Sequence, residues 1–203
     1  MNKLLIIGAS GHGKVISDIA THWGYEDIVF LDDDLSVKYR SGFLVIGTSS
    51  DIYKYKYSDI FVVISYSGTR EIMITKLRED GVNVVIHPNA VIVMDVTIGK
   101  GTAVMAGVVI NPGSSVGQGC IINTGAIVDH DNKIGVFSHV SVGCHLSGTV
   151  TVGKSTWGGA GAVVNNNANI CAGCTIGVGA VVVQNIIYTT FNCADRVRGR
   201  SVA

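Results

Sequence analysis

Charge is scarce in this sequence. Of 203 residues only 15% are Asp, Glu, Lys or Arg, and the formal net charge is zero. A nucleic-acid-binding surface needs a basic patch or stripe, and none is visible. Long apolar runs are also missing: none reaches the roughly 18 residues needed to span a bilayer. The opening "MNKLLIIGASGHG" interrupts its apolar run with Gly, Ser and His after about five residues, too soon for a signal peptide. Cysteine comes in an odd number, five, without secretory context, which argues against a disulfide framework and for free thiols. A soluble, cytoplasmic protein is expected.

What the sequence does have is glycine, 26 residues against two prolines. Regular glycine without collagen spacing calls for a search for repeats. From Ala90 the chain divides into sixteen hexads, from AVIVMD and VTIGKG to CTIGVG and AVVVQN. The third place is Ile, Val or Leu in fifteen of the sixteen, with Gly158 the exception. The first place is Ala, Ser, Thr, Cys or Val in all but one, Asn132. The fourth place is often Gly, Asn or Asp, where unusual turn torsions are expected. This is the pattern of a left-handed parallel β-helix, each hexad forming one face of a triangular prism. The aliphatic third place points inward and the small first place fits a crowded corner.

The first half has a different grammar. "KLLIIGA", "DIVFLDD", "DIFVVIS" and "VNVVIHP" read as strands, while "GKVISDIATHWG" and "TREIMITKLREDG" read as helices. Strands alternating with helices imply a parallel sheet. Two domains are expected: a Rossmann-like α/β half domain over residues 1–87 and a β-helix with a C-terminal tail over 88–203.

Three groups of residues carry chemistry. "VDHD" places His130 between Asp129 and Asp131, and a neighbouring carboxylate can fix a histidine's tautomer and raise its basicity. Asp131 is the expected partner, with Asp129 a turn residue. His130, His139 and His145 all avoid the inward third place, so all three should lie outside, where a histidine can also be mere solvated surface. His130 and His139 are nine residues apart, one and a half faces, so they can meet only across a subunit interface. A cyclic trimer with sites between prisms follows. Second, "GASGHG" after the first strand is a variant dinucleotide fingerprint, and "LDDD" follows about 20 residues on. The space before the prism suits a nucleoside diphosphate better than the dehydrogenase cofactor, and a glycine turn with no ligand stays open. Third, "CAGC" has metal-like spacing but no second pair. Cys120, Cys144 and Cys174 occupy first places and read as packing residues. Zinc on the histidines is a further rival, and no metal is expected.

These motifs resemble a known family. "IIGASGHGKVISDIA", "GYEDIVFLDDD", "VIHPNA" and "INTGAIVDHDNKIGVFSHVSVG" are similar to the hexapeptide-repeat nucleotide-sugar acetyltransferases, which include sialic-acid O-acetyltransferases and the bacillosamine-pathway N-acetyltransferase. The resemblance covers nearly the whole chain and leans toward the latter. It implies acetyl-CoA as co-substrate, a UDP-linked 4-amino-4,6-dideoxy sugar as acceptor, and a homotrimer. It implies His130 as catalytic base, with Asp131 standing where that subfamily has a glutamate. His139 matches an acetyl-CoA contact, Gly148 a backbone N–H for the thioester oxygen, and Ala160 and Val178 the CoA channel. Ser10, Gly11, His12, Asp32 and Asp33 match nucleotide-sugar contacts, and Asn123 a polar residue of the cleft. Ser65 replaces a glycine at the third strand's end. The family's "GxPAK" near the C-terminus reads "NCADR" here, Asn192 to Arg196. O-acetylation of a sugar hydroxyl and a non-catalytic nucleotide-sugar sensor are the alternatives.

Overall fold

The computed structural model describes residues 3–77 and 82–187. The chain divides into two compact units, Met1–Pro88 and Asn89–Ala203. Among the described residues no helix is long and apolar enough to cross a membrane.

The first unit is built on β1 (Lys3–Ile7), whose residues Leu4 to Ile7 are at most 1% exposed. Helix α1 (Gly11–His22) follows, then β2 (Asp27–Leu31), β3 (Tyr39–Arg40) and β4 (Phe43–Gly47). A 3₁₀ helix (Ser49–Lys54), β5 (Asp59–Val62) and α2 (Ser67–Lys76) complete it. The sheet order is β3-β4-β2-β1-β5. β1 pairs in parallel with β2 and β5, so the most apolar strand lies in the interior of the sheet. Ile16, Ile19 and Ala20 bury the inner face of α1.

To the expected parallel pairing the structure adds an antiparallel edge. β3 and β4 form an antiparallel hairpin at the edge. Its two-residue turn, Ser41–Gly42, has positive φ at both positions, 50° and 85°. Such a turn matches the right-handed strand twist and closes a hairpin within two residues. Of the expected strand in "VNVVIHP", this sheet receives one isolated parallel bridge, Ile60 to Val82.

The second unit is a left-handed parallel β-helix of two-residue strands. One face stacks Val91–Ile92, Val109–Ile110, Ile127–Val128, His145–Leu146, Val163–Val164 and Val181–Val182. Its outward second places are aliphatic except for His145, and we refer to it as the apolar face. The next stacks Thr97–Ile98, Ser115–Val116, Lys133–Ile134, Thr151–Val152 and Asn169–Ile170, the polar face. The third stacks Ala103–Val104, Ile121–Ile122, His139–Val140, Trp157–Gly158 and Thr175–Ile176, the histidine face. Registers advance by eighteen residues per coil, as in Val109 to Ile127 to His145.

Third-place residues are buried from Val104 to Val182, each contributing on the order of 1.5–3 kcal/mol through removal from water. Gly158, the exception, lacks room for a side chain: a Cβ there would come within 3.1 Å of Cys144 Sγ. Cys120, Cys144 and Cys174 are buried at first places. Hydroxyls at first places satisfy the neighbouring coil. Thr102 Oγ1 donates to the Gly117 carbonyl at 2.8 Å and accepts from the Cys120 N–H at 3.0 Å.

The turn torsions sit elsewhere than expected. From the second hexad to the fifteenth the left-handed residue is the sixth, as at Gly125 (φ 66°) and Asp131 (φ 58°), rather than the fourth. Fourth-place glycine serves close approach: a Cβ on Gly135 would lie 2.6 Å from the Lys154 nitrogen of the next coil. Gly135→Ala is therefore an overpacking mutation, costing about 1–3 kcal/mol. Thermal denaturation should show a midpoint lowered by roughly 2–4 °C per kcal/mol. An unchanged midpoint would contradict the close approach.

Candidate active site

His130 and Asp131 occupy the corner between the apolar and polar faces, after Ile127–Val128 and before Lys133–Ile134. Asp131 takes the left-handed sixth place, a conformation Asp tolerates better than most residues. There its Oδ2 lies 2.8 Å from His130 Nδ1, so the short carboxylate does reach the imidazole. Gly113, one coil away, leaves the space: a Cβ there would collide with Asp131 Oδ1. Asp129 is a turn residue, as expected. Its Oδ1 accepts from the His130 N–H and from Asn111 Nδ2, both at 2.8 Å.

The hydrogen bond to Asp131 raises the His130 pKa above 6.5, with smaller help from Asp129. With Nδ1 turned to the carboxylate, Nε2 is the nitrogen left for chemistry. It lies against Gly148, where an added Cβ would strike Nε2, Cε1 and Cδ2. Glycine at 148 is thus required by the imidazole itself. The Gly148 carbonyl accepts from the Asn167 N–H at 3.0 Å. Its own N–H has no acceptor among the described residues.

His139 lies on the histidine face, the side of the prism opposite the His130 corner. Within one chain the core separates the two. His139 avoids the inward place as expected, but it is only 8% exposed. It points outward, yet Ile121 and Trp157 flank it in the same column. Asn123 Nδ2 lies 3.2 Å from His139 Nε2, so these two expected site residues come together. Trp157 was not anticipated. Its Nε1 donates to Ser141 Oγ at 2.7 Å, spreading a half-exposed indole beside His139. Ala160 and Val178 follow on the corner between the histidine and apolar faces, one coil apart.

In the first unit, Ser10, Asp32, Asp33 and Ser65 line a pocket of about 260 Å³ with Ser49 and Thr69. Ser10 precedes the first residue of α1, Gly11. Gly8 has φ 109°, and a Cβ on it would lie 2.9 Å from the Val63 carbonyl oxygen. The two carboxylates are already engaged. Asp32 accepts from the Ala9 N–H at 2.5 Å, and Asp33 accepts from the Ser49 N–H and hydroxyl. They shape the loop walls, a role the spacing of "LDDD" did not disclose. His12 Nδ1 lies 2.7 Å from Ser65 Oγ. Burial, then the Arg70 charge, lowers its pKa, so His12 is neutral near pH 7. Arg70 was also unanticipated. Fully buried, it donates to the Ile64 and Ser65 carbonyls and fixes the end of β5.

The comparisons with known proteins address this arrangement. Residues 3–77 match the family model described as the PglD N-terminal domain. The chain is 38% identical to the acetyltransferase domain of PglB from Neisseria gonorrhoeae FA1090, with a TM-score of 0.87 over 92% of this chain and 93% of that one. That domain has also been solved in complex with acetyl coenzyme A. PerB from Caulobacter crescentus, solved with CoA and GDP-perosamine, is 35% identical, with a TM-score of 0.86 over 92% and 91% of the two chains. The chain belongs to the hexapeptide-repeat nucleotide-sugar acetyltransferases. It is therefore an acyltransferase.

For an acetyltransferase the cysteines matter by what they do not offer. Burial pushes the Cys144 thiol up to about 12 and the Cys174 thiol to about 11, the latter with help from Cys171. Neither provides a thiolate nucleophile near neutral pH. Among the described residues no group of three His, Cys, Asp or Glu is arranged to hold a metal ion. The "NCADR" departure lies outside the described residues.

The His130–Asp131 contact is measurable. Histidine Cε1 proton NMR should give a His130 midpoint above 6.5, the direction set by Asp131. Asp131→Asn should lower that midpoint, because a neutral amide stabilises imidazolium less than a carboxylate. A midpoint that does not move would rule out the pairing.

Proposed function

We propose that this chain transfers the acetyl group of acetyl-CoA to the 4-amino group of a UDP-linked 4-amino-4,6-dideoxy sugar, with His130 as general base. The observation that carries the reading is the corner itself: an imidazole held at Nδ1 by Asp131 at 2.8 Å, with Nε2 against Gly148. Relatives solved with acetyl coenzyme A and with CoA plus GDP-perosamine support the donor and the class of acceptor.

In this reading the sugar nitrogen attacks the thioester carbonyl and His130 Nε2 takes its proton. The carbonyl oxygen becomes an oxyanion, stabilised by the Gly148 N–H. One such donor is commonly worth about 3 kcal/mol. The tetrahedral intermediate collapses, the C–S bond breaks, and the proton on His130 passes to the departing sulfur. The products are the acetamido sugar and CoA thiol. No acyl-enzyme is required, in keeping with the raised thiol pKa values of Cys144 and Cys174. Ser10, Gly11, His12, Asp32, Asp33 and Ser65 form the nucleotide-sugar side. His139, Asn123, Ala160 and Val178 form the CoA and cleft side.

The proposed assembly is a homotrimer. His130 and His139 lie on opposite sides of one prism, so a site using both needs a second chain. The second places are consistent with this. The polar face carries Thr97, Ser115, Lys133, Thr151 and Asn169, while the apolar face exposes Val91 and Val181, each at 58%. Exposed aliphatics in register favour contact with another protein surface.

Two tests follow. His130→Ala should lower kcat by about 10²–10⁴ and leave acetyl-CoA affinity unchanged. The readout is thiol release with a panel of UDP- and GDP-linked 4-amino sugars and free sialic acid. Full activity in the variant would end the base assignment, and turnover only with sialic acid would favour O-acetylation. Light scattering should give three times the chain mass of 21.3 kDa. A fully active monomer would refute the shared site.

A further inference from the structure

Asn132 is the one hexad residue that breaks the small-first-place rule, and it follows directly on the His130–Asp131 pair. It is completely buried. Like the hydroxyls at other first places, it links its own coil to the next. Nδ2 donates to the Ser147 carbonyl and Oδ1 accepts from the Val150 N–H, both at 3.0 Å. Ser138 makes the same pair of contacts, with the Gly153 carbonyl and the Thr156 N–H. The carboxamide does one thing a hydroxyl there does not. Its second N–H reaches back within its own turn to the Asp129 carbonyl at 2.6 Å, which also accepts from Ser114 Oγ at 2.8 Å.

The two carbonyls that Asn132 holds are informative. The Asp129 carbonyl belongs to the peptide whose N–H is that of His130. The Ser147 carbonyl belongs to the peptide whose N–H is that of Gly148. In a planar trans peptide, C=O and N–H point in opposite directions. Among the described residues there are no cis peptides. Fixing the Ser147 carbonyl inward therefore fixes the Gly148 N–H outward.

We infer that Asn132 is a positioning residue that sets the spacing between the base, His130, and the oxyanion donor, the Gly148 N–H, by clamping both peptide planes from inside the prism. This inference rests on the function proposed above. Asn132 touches neither substrate, and it acts through the two turns it joins.

The test uses the full-length protein with Asn132→Ser, and Asn132→Thr as a second variant in case the first folds poorly. Both hydroxyls can keep the coil-to-coil contacts, as Ser138 and Thr102 do, but cannot also reach the Asp129 carbonyl. A misplacement of about 1 Å in such a site costs up to about 10²-fold in rate. Expected is a ten- to hundredfold fall in kcat, little change in KM for acetyl-CoA, a nearly unchanged melting midpoint, and a displaced His130 amide resonance. Wild-type kcat in a folded variant would overturn the inference while His130→Ala remained inactive. So would a kcat loss that merely tracks a lowered melting midpoint with the His130 amide unmoved. If His130→Ala retains activity, the base assignment fails and the clamp loses its purpose with it.

Discussion

Every coil of this prism is held to the next by branched aliphatics stacking on their equivalents eighteen residues away, as Ile110, Val128 and Leu146 do. That repeat fixes more than the core. Strands in register are about 4.8 Å apart, so any residue has its equivalents at van der Waals range above and below. His130 therefore meets position 148, and Asp131 meets position 113. The site is built from vertical neighbours, and each of its side chains needs a particular residue in the next coil. Gly148 and Gly113 are small because the imidazole and the carboxylate take up the volume a side chain would use.

The same repeat explains how a dyad of adjacent residues is possible. Side chains next to each other in a strand point to opposite faces. At the corner the chain turns, and the sixth residue adopts a left-handed conformation. Asp131 occupies that place, and its carboxylate swings to Nδ1 of the residue before it. Most other coils use glycine at the sixth place; this one uses aspartate, accepting a modest backbone cost for a fixed imidazole. The proposed chemistry is thus written into a position the fold already makes unusual, and the inward places are left undisturbed.

Much of this was legible in the sequence, because the third place of the hexad obeys a single rule, burial. The prism and the outward placement of His130 follow from that rule alone. What the sequence did not disclose depends on neighbours far apart along the chain. His139 is outward in pattern yet buried, because Ile121 and Trp157 lie beside it in the column. Fourth-place and sixth-place glycines look alike in a string of letters but answer different needs, close approach and positive φ. Gly158 breaks the aliphatic rule because Cys144 already fills its space. In the first unit the hairpin at Ser41–Gly42 was missed because its strands are short and its turn lacks the usual Asn-Gly or Asp-Gly pair. Asp32 and Asp33 had the spacing of ligand contacts, and only coordinates could reveal their bonds to Ala9 and Ser49.

The hexad also separates what can vary from what cannot. The third place is committed to the core and the sixth to a torsion. The second place, pointing out from the middle of each face, is committed to neither. It is there that the three faces differ, aliphatic on one, hydroxyl and amide with one lysine on another, histidine and tryptophan on the third. A prism with three equivalent faces would give a partner chain no preferred side. Different second-place columns make one side distinguishable from another at no cost to the stacking within. The first place has one departure of its own, Asn132. There the corner accepts a larger polar side chain only because every one of its hydrogen-bonding groups finds a backbone partner. A buried amide with a free N–H would cost on the order of 1–3 kcal/mol. Its full satisfaction at the corner that bears His130 links the polar exception in the core to the chemistry proposed outside it.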